Sequence, residues 1–235
     1  MTFGANRAAE IPLSDEAFRL LAELIHNKAG LYFTQNTRFI LERRLSARLR
    51  ELELEDFEQY YYYLRYDPKR EEEFSRVFDL ITTNETYFFR EERQLKALTE
   101  EILPPMMRGR PATRPLRIWS AGCSSGEEPY TIAMLLNERG WLGEGVEIFA
   151  SDINQRVLAK ARAGIYTESS FRTTQDYFRR KYFVPEGEGW RIGDSIRSAV
   201  DFGRFNLYEE SRYLMLGSYD IILCRNVIIY FDQEA

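Results

Sequence analysis

A glycine-rich turn followed by two carboxylates is the part of this sequence best suited to bind a charged ligand. Residues 120–130 read Ser-Ala-Gly-Cys-Ser-Ser-Gly-Glu-Glu-Pro-Tyr and follow a short apolar run. Glycines let a ligand approach the backbone closely, and Pro129 suits the first turn of a helix. Glu127 and Glu128 would repel a phosphate at that helix start, so the turn favours a ligand with positive charge and hydroxyl groups, such as S-adenosylmethionine (SAM). A strand-to-helix turn with no ligand is the alternative.

A third carboxylate, Asp152, ends the next apolar run, residues 146–152, and a helical pattern follows it. An acid at the tip of the second strand is the usual group that holds ribose hydroxyls in a sheet of this kind. The spacing of 30 residues from Gly122 to Asp152 exceeds the roughly 20 of dinucleotide-binding sequences, and the G-x-G-x-x-G pattern is missing. The pattern therefore argues against a nicotinamide-dependent dehydrogenase.

Residues 218–226 are predicted to form another buried strand with a polar end, and residues 227–231 to continue it. Ligands of open α/β folds bind where the carboxyl ends of parallel strands meet. We therefore expect three polar strand ends to converge on one edge of a parallel sheet.

The elements that position these groups fall into three blocks. Leu41, Leu45 and Leu49 recur at helical spacing in a stretch that begins with the capping candidate Ser14, which predicts three to five helices. The predicted blocks are a helical domain at 11–80, a linking helix and loop at 81–115, and an α/β domain at 116–235 with a small β-insertion around 182–203.

Composition excludes several classes of function. The net charge of −5 argues against nucleic-acid binding, which requires a basic face. His26 is the only histidine, and Cys123 and Cys224 lack metal-ligand spacing, so we expect no metal site. No apolar run approaches the roughly 18 residues of a membrane span, and the sequence starts without a secretory pattern. We expect a cytoplasmic protein that inserts into no membrane.

The linking segment, residues 81–90, combines short polar side chains with two phenylalanines and a fixed cation, Arg90. Its threonines and Asn84 could form hydrogen bonds to a ligand, while Phe88 and Phe89 could form apolar walls. A helix cap followed by core aromatics and a surface arginine is the alternative.

Together these motifs resemble the CheR-type chemotaxis receptor methyltransferases. The resemblance rests on TTNETYFFRE (82–91), SAGCSSGEEPY (120–130), FASDI (149–153), NL (206–207) and CRNVIIYFD (224–232). It implies a SAM-dependent methyltransferase, an α/β protein with a Rossmann-like sheet preceded by a small all-helical N-terminal domain. It also implies methyl transfer from SAM to the γ-carboxylate of glutamates on chemoreceptor signalling helices, which yields glutamate methyl esters and S-adenosylhomocysteine.

The resemblance assigns roles to individual residues. The implied cofactor-binding set is Asn84, Thr86, Arg90, Glu128, Asp152, Asn206, Leu207, Arg225 and Asn226. Within it, Glu128 would face the amino-acid end of the cofactor, Asp152 the ribose, and Asn206 with Leu207 the adenine. Arg225 and Asn226 would lie beside the methionyl part. A turn residue remains the alternative for Asn206.

Methyl transfer to a glutamate needs few catalytic groups, because the glutamate side chain is already ionised at neutral pH and requires no general base. The enzyme must align the carboxylate with the methyl group. We predict Arg90 and Tyr230 as the catalytic residues, Arg90 with its planar fork of donors and Tyr230 with one hydroxyl near the transferring methyl. A core aromatic is the alternative for Tyr230.

A basic helix at 37–50 is the predicted receptor-binding surface. Its five arginines, predicted to recognise the substrate, are Arg38, Arg43, Arg44, Arg48 and Arg50. Helical geometry points Arg43 and Arg50 away from the leucine face, with Arg44 and Arg48 flanking it. A glutamate-rich receptor helix would complement this charge, and a solvated helix face is the alternative. We expect a monomer whose partners are the cytoplasmic helices of chemoreceptors.

Two departures from the family pattern qualify these expectations. The sequence ends at Ala235, where members continue with a helix and a β-hairpin, so we expect the C-terminal end of the sheet to be missing. The turn within 182–193 is shorter than in members that bind a receptor's C-terminal peptide, which predicts peptide-independent recognition. A SAM- or S-adenosylhomocysteine-binding regulatory module without methyl transfer is the main alternative. Methylation of nucleic acid or a small molecule is a further alternative. The net charge of −5 and the sequence Cys-Arg-Asn-Val at the end of the strand predicted at 218–226 both argue against it.

Overall fold

The computed structural model describes residues 11–111, 114–143 and 145–232. These residues form two compact units, one comprising 11–82 together with 229–232 and the other comprising 83–228. Within the described ranges, no helix has both the length and the apolar composition needed to cross a lipid bilayer.

The first unit is built from α-helices. They are α1 (Asp15–Ala29), α2 (Arg38–Glu51), α3 (Phe57–Tyr66) and α4 (Arg70–Ile81), with a 3-10 turn at Gln35–Thr37. The Ser14 hydroxyl accepts a hydrogen bond from the Ala17 N–H at 3.1 Å and caps α1. Gly30 ends the helix in the left-handed conformation, with φ of 69°. The predicted all-helical block with three to five helices is confirmed.

The leucine face of α2 forms the core of this unit. Leu41, Leu45 and Leu49 are fully buried, and α2 packs against α4. Each buried leucine stabilises the fold by about 1.5–3 kcal/mol relative to an exposed one. This burial orients the rest of α2, because the residues between the leucines must then face the neighbouring helices or solvent.

The second unit combines a parallel sheet with helices. Its helices are α5 (Glu92–Ala97), α6 (Leu103–Met107), α7 (Glu127–Glu138), α8 (Gln155–Ala163), α9 (Asp176–Tyr182), α10 (Asp194–Arg197) and α11 (Tyr213–Leu216). Its strands are β1 (Leu116–Ala121), β2 (Val146–Asp152), β3 (Ile165–Tyr166), β4 (Phe183–Glu186), β5 (Gly189–Ile192), β6 (Val200–Arg204) and β7 (Ile221–Leu223). A π-helical segment at Leu98–Ile102 joins α5 to α6.

The parallel sheet has the strand order β6-β2-β1-β7. In its register, Ala121 lies beside Ser151, and Asp152 lies beside Arg204. The carboxyl ends of all these strands therefore meet at one edge. The predicted α/β fold with a parallel sheet is confirmed, and so is the convergence of the strand ends.

The third predicted strand is shorter than expected. Only Ile221–Leu223 pairs with β1, and residues 227–231 form no continuation. Asn226 adopts φ of 58°, which turns the backbone out of the extended conformation. The Ile228–Tyr230 stretch is a 3-10 turn instead.

A small antiparallel sheet with the order β3-β5-β4 packs within the second unit. The β4–β5 hairpin closes with Glu186 paired to Gly189, and Gly187 supplies the positive φ of 58° in the turn. Residues 200–203 lie in β6 of the parallel sheet, so they are not part of the insertion predicted around 182–203. They form the fourth strand end at the site edge.

Residues 82–90 of the linking segment are not helical, in contrast to the prediction, and the helix of the 81–115 block begins at Glu92. Helix α4 ends at Ile81, and the chain runs without regular structure to a turn at residues 88–91. Thr82, Thr83 and Asn84 explain this end, because β-branched and short polar side chains disfavour helix interiors. In the 81–115 block, α5, the π-helical segment and α6 extend to Met107, and Pro104 lies in the first turn of α6, where no N–H is required.

Candidate active site

The glycine turn after β1 is fixed to β2 by backbone hydrogen bonds. The N–H groups of Gly122 and Cys123 donate to the Ser151 carbonyl at 2.8 and 2.9 Å. Gly122 has φ of 76°, and a Cβ there would lie 2.3 Å from the Val227 side chain. The position therefore requires glycine both for its backbone conformation and for its space.

Asp152 lies at the end of β2 and organises this turn. Its Oδ2 accepts the Ser124 N–H at 2.8 Å, and its Oδ1 accepts the Asn154 N–H at 2.9 Å. The residue is buried, with 8% of its surface exposed. A carboxylate oxygen accepts more than one hydrogen bond, so these contacts are compatible with hydroxyl groups of a ligand. Asp152 shapes the site whether or not it also holds a ribose.

Glu128 lies in the first turn of α7 and faces the strand ends. Its Oε1 accepts the Ser120 hydroxyl at 2.6 Å, and its Oε2 accepts a bond from Arg225 Nη1 at 2.9 Å. Burial raises the pKa of Glu128, against the opposing effects of Ser120 and Arg225. The carboxylate is thus a partly desolvated anion, a suitable partner for a ligand cation.

Arg225, which follows β7, connects three parts of the unit. Besides Glu128, it donates to Gln94 Oε1 at 2.8 Å and to the Arg90 carbonyl at 2.5 Å. Its guanidinium also lies 3.6 Å from the carboxylate of Glu91. Only 12% of the side chain is exposed. Such a network matches the fork geometry of arginine and holds the guanidinium in place.

Glu127 has a different environment from its neighbour. Its oxygens accept the hydroxyls of Ser125 at 2.8 Å and Ser170 at 3.0 Å, and only 2% of the residue is exposed. Burial raises its pKa, against the two serine hydroxyls. Glu127 therefore joins the turn to the 168–171 segment, and Glu128 is the carboxylate at the strand ends.

The segment 83–91 packs against the glycine turn and α7. The Ser124 hydroxyl donates to the Asn84 carbonyl at 3.3 Å, and the Phe89 N–H donates to Thr131 Oγ1 at 3.3 Å. Phe89 and Glu91 adopt positive φ values of 60° and 57°. Left-handed residues other than glycine cost about 1–3 kcal/mol each and concentrate at functional sites. Thr86 is half-buried in the same segment.

Arg90 is held by its own segment, which a second arginine that sequence reasoning missed also contacts. Its Nη1 donates to the Glu85 carbonyl at 2.8 Å, and the guanidinium lies 5.7 Å from the Tyr87 ring centre. Arg172 lies 3.7 Å from the same ring centre and pairs with the Glu85 carboxylate at 2.7 Å. No motif surrounds Arg172, so only the tertiary structure reveals it.

Asn206 and Leu207 follow β6 at the same sheet edge. The preceding residue, Phe205, donates its N–H to the Asp152 carbonyl at 3.1 Å. Asn206 Oδ1 accepts the Tyr208 N–H at 3.1 Å, which is the bond of a turn-forming asparagine. Leu207 packs against the cluster around Trp119. The turn role proposed as the alternative for Asn206 is present, and an adenine contact stays a prediction.

The second unit thus contains all nine residues of the predicted cofactor set. Those on its strand ends and on segment 83–91 are Asn84, Thr86, Arg90, Glu128, Asp152, Asn206, Leu207, Arg225 and Asn226. Asn226 Nδ2 donates to Glu91 Oε1 at 3.2 Å. Tyr230 belongs to the first unit, where its carbonyl accepts the Tyr32 N–H at 2.9 Å. Its catalytic role stays a prediction.

The arginines of α2 differ in their availability to a partner. Arg48 is 13% exposed and forms two hydrogen bonds to the buried Glu73, at 2.8 and 2.7 Å, so its guanidinium is engaged within this unit. Its role in substrate recognition stays a prediction. Arg44 donates to the carbonyls of Ile81 and Thr82 at the end of α4, at 2.8 and 2.9 Å, which makes it a structural link as well.

For the remaining arginines of α2, the role in substrate recognition also stays a prediction. Arg43 and Arg50 are exposed, as their helical positions predicted, and Arg38 pairs with Asp15. Helix α2 therefore exposes fewer arginines to solvent than the five that the sequence predicted as a recognition surface. We call Arg43 and Arg50 the exposed arginine pair.

Comparisons with known proteins agree across both units. A family model described as "CheR methyltransferase, SAM binding domain" matches residues 84–235, and one described as "CheR methyltransferase, all-alpha domain" matches residues 16–82. A chemotaxis protein methyltransferase 2 of Vibrio cholerae is 39% identical over 227 residues, covering 95% of this chain and 78% of the relative. The chemotaxis protein methyltransferase of Escherichia coli K12 is 36% identical over 230 residues, covering 96% and 77%. That of Borreliella burgdorferi is 35% identical over 227 residues, covering 94% and 79%.

Proposed function

The chain belongs to the CheR methyltransferase family, and we propose that it methylates the side-chain carboxylates of specific glutamates on chemoreceptor signalling helices. It is a SAM-dependent methyltransferase. The proposed product is a glutamate methyl ester, which would serve adaptation in chemotaxis-type signalling.

The observation that carries this proposal is the position of Glu128, bonded to Ser120 of β1, and of Asp152, at the end of β2. Two largely buried carboxylates suit a ligand with an ammonium group and a ribose diol, and they oppose a ligand with a pyrophosphate. The donors and acceptors of the second unit therefore fit SAM.

When bound, SAM supplies an electrophilic methyl group together with its own sulfide leaving group. The chain supplies the position of the carboxylate. In the proposed mechanism Arg90 binds one side of the glutamate carboxylate through its fork, and the Tyr230 hydroxyl donates one hydrogen bond to it. Positioning of this kind contributes several kcal/mol to lowering the barrier, and no side chain needs to take up a proton.

The surroundings of Arg90 support its part in this mechanism. The Arg225 guanidinium holds its carbonyl and the Glu85 carbonyl accepts its Nη1, so the side chain has a defined direction. Arg172 packs on the same Tyr87 ring and pairs with the Glu85 carboxylate, which fixes the ring beside Arg90. The Arg90 guanidinium is a cation that would attract an anionic substrate.

The all-α unit is proposed to recognise the receptor through the exposed arginine pair. Two cations on one helix complement the acidic face of a glutamate-rich receptor helix and accelerate its association. We further propose that the enzyme works in the cytoplasm as a monomer. We propose that it needs no metal ion, since an ionised carboxylate and a sulfonium leaving group need no Lewis acid.

The experiment is incubation of the protein with methyl-labelled SAM and purified cytoplasmic domains of chemoreceptors from the same cell. A carboxyl ester releases its label as methanol in alkali, and a receptor whose methylatable glutamates are replaced by alanine is the control. Base-stable label would point to nitrogen methylation. SAM binding without any transfer would favour the regulatory module.

A further inference from the structure

The segment that carries Tyr230 is attached to the end of α1. Leu31 forms an antiparallel bridge with Phe231, and the Tyr32 N–H donates to the Tyr230 carbonyl at 2.9 Å. One residue farther on, Asp232 Oδ2 lies 2.9 Å from His26 Nε2. All of these residues lie in the first unit. We call this set of contacts the α1 clasp.

The local structure of α1 explains how the clasp forms. The Gly30 N–H donates to the His26 carbonyl at 2.7 Å, and the left-handed conformation of Gly30 stops the helix there. The chain then leaves in an extended direction, so Leu31 and Tyr32 can pair with another strand-like segment. His26 lies in the last turn of α1, which places its imidazole beside the same segment.

The clasp acts on the residue to which we assign a catalytic hydroxyl. The Tyr230 side chain is 37% exposed, so packing alone leaves it room to move. The backbone, in contrast, is held by the hydrogen bond to the Tyr230 carbonyl and by the bridge at Phe231, and the Asp232 side chain contacts His26. His26 and Asp232 each expose only 23% of their side chains, so their contact is shielded from solvent more than a surface pair.

We propose that His26 is a positioning residue for methyl transfer, which holds the 230–232 segment through Asp232 and so sets the location of the Tyr230 hydroxyl. The proposal rests on the catalytic role given to Tyr230 under the proposed function. Because a displacement of about 1 Å at a reacting group can reduce a rate 100-fold, loss of one anchor is expected to be visible in turnover.

The test compares His26→Leu and His26→Gln in the full chain, with and without Tyr230→Phe. Leucine removes the donor, whereas the glutamine amide nitrogen can occupy nearly the position of Nε2 and keep the bond to Asp232. We expect His26→Leu to lower kcat at least fivefold with an unchanged KM for the receptor, and His26→Gln to restore most of it. In the Tyr230→Phe background His26→Leu should have no further effect, because the group it positions is gone.

Lys28→Gln is the matched control, since Lys28 lies in the same turn of α1 but pairs with Glu71 at 2.8 Å. It should leave turnover unchanged. If His26→Leu does not fold, which its thermal unfolding and S-adenosylhomocysteine affinity will report, Asp232→Ala, which removes the acceptor, replaces it in the same comparison.

The outcomes separate this inference from the proposed function. A normal kcat in Tyr230→Phe overturns the role of Tyr230 and the clasp with it. A reduced kcat in Tyr230→Phe but a normal one in His26→Leu overturns the clasp alone. Equal losses from His26→Leu in both backgrounds show a general structural effect and also overturn it.

Discussion

Glu127 and Glu128 are adjacent residues of the same type, and the structure predicts opposite effects of neutralising them. Glu128 faces Ser120 and Arg225 at the strand ends, while Glu127 binds two serine hydroxyls away from them. We expect Glu128→Gln to weaken SAM binding strongly and Glu127→Gln to leave it nearly unchanged.

The magnitude follows from the bond that is lost. A hydrogen bond to a charged group contributes about 1.5–3 kcal/mol. At about 1.4 kcal/mol for each factor of ten, the Kd for SAM should rise roughly 10- to 150-fold in Glu128→Gln. Arg225 keeps its bonds to Gln94 and to the Arg90 carbonyl, so the site should retain its shape.

Glu127→Gln should change the Kd by less than about threefold. Its carboxylate is buried and its pKa is raised by that burial, so the neutral amide removes a desolvated charge and keeps an acceptor for one serine. The affinity of S-adenosylhomocysteine, measured by titration calorimetry at neutral pH, gives both numbers. Equal losses in the two variants, or the larger loss in Glu127→Gln, would refute the assignment of Glu128 to the cofactor.

Four other predictions follow from named contacts. Burial raises the pKa of Glu128 above the ordinary glutamate value of 4.5. As the pH decreases, SAM affinity should therefore begin to fall at a pH higher than 4.5. Calorimetry at several pH values should find no such dependence in Glu128→Gln. Asp152→Ala should weaken SAM binding by at least about 1–2 kcal/mol. It should also lower the melting temperature, because the Ser124 and Asn154 N–H groups lose the carboxylate that accepts from them. An unchanged SAM affinity, measured by calorimetry in a folded variant, would remove Asp152 from the site. The double variant Arg43→Ala/Arg50→Ala should methylate receptors more slowly at low salt and bind S-adenosylhomocysteine with unchanged affinity. The control variant Arg65→Ala on α3 should methylate receptors at the normal rate. Wild-type activity that does not depend on ionic strength would contradict an electrostatic role of the exposed arginine pair. Burial alone would raise the pKa of Glu73, but the hydrogen bonds from Arg48 and Tyr60 lower it. The ionised Glu73 therefore stabilises the fold above pH 4.5, and this stabilisation is lost as the pH falls through the lowered pKa. The free energies of unfolding of Glu73→Gln and wild type, measured with denaturant, should differ by about 3 kcal/mol at neutral pH and converge in acid.

Local signals in the sequence were sufficient for much of this fold. The leucines of α2, the caps Ser14 and Gly30, and the glycine turn at Gly122 are each determined by a few neighbouring residues, and the structure has the element expected at each. The end of α4 at Ile81 could have been predicted as well, because Thr82 and the polar residues after it disfavour a helix.

Other features depend on contacts that are distant in the sequence. Strand β6 is short and carries Asp201 and Gly203, so only its register beside β2 identifies it as a strand of the parallel sheet. Helical periodicity placed Arg48 beside the leucine face but could not say that Glu73 lies opposite it. Arg172 joins the surroundings of Arg90 across 82 residues of sequence. Pairs of this kind follow from tertiary packing, on which a single sequence carries little information.

Arg225 shows why separate motifs of this chain act as one site. Its planar fork reaches the Glu128 carboxylate, the Gln94 amide and the Arg90 carbonyl at the same time, from the end of β7. A lysine at this position could not make three such directed bonds with a single ammonium. The anion that would receive the cofactor and the cation that would receive the substrate are therefore oriented by one side chain. For a reaction that needs alignment of an ionised carboxylate and no proton transfer, this shared orientation is the main catalytic contribution that these residues can make.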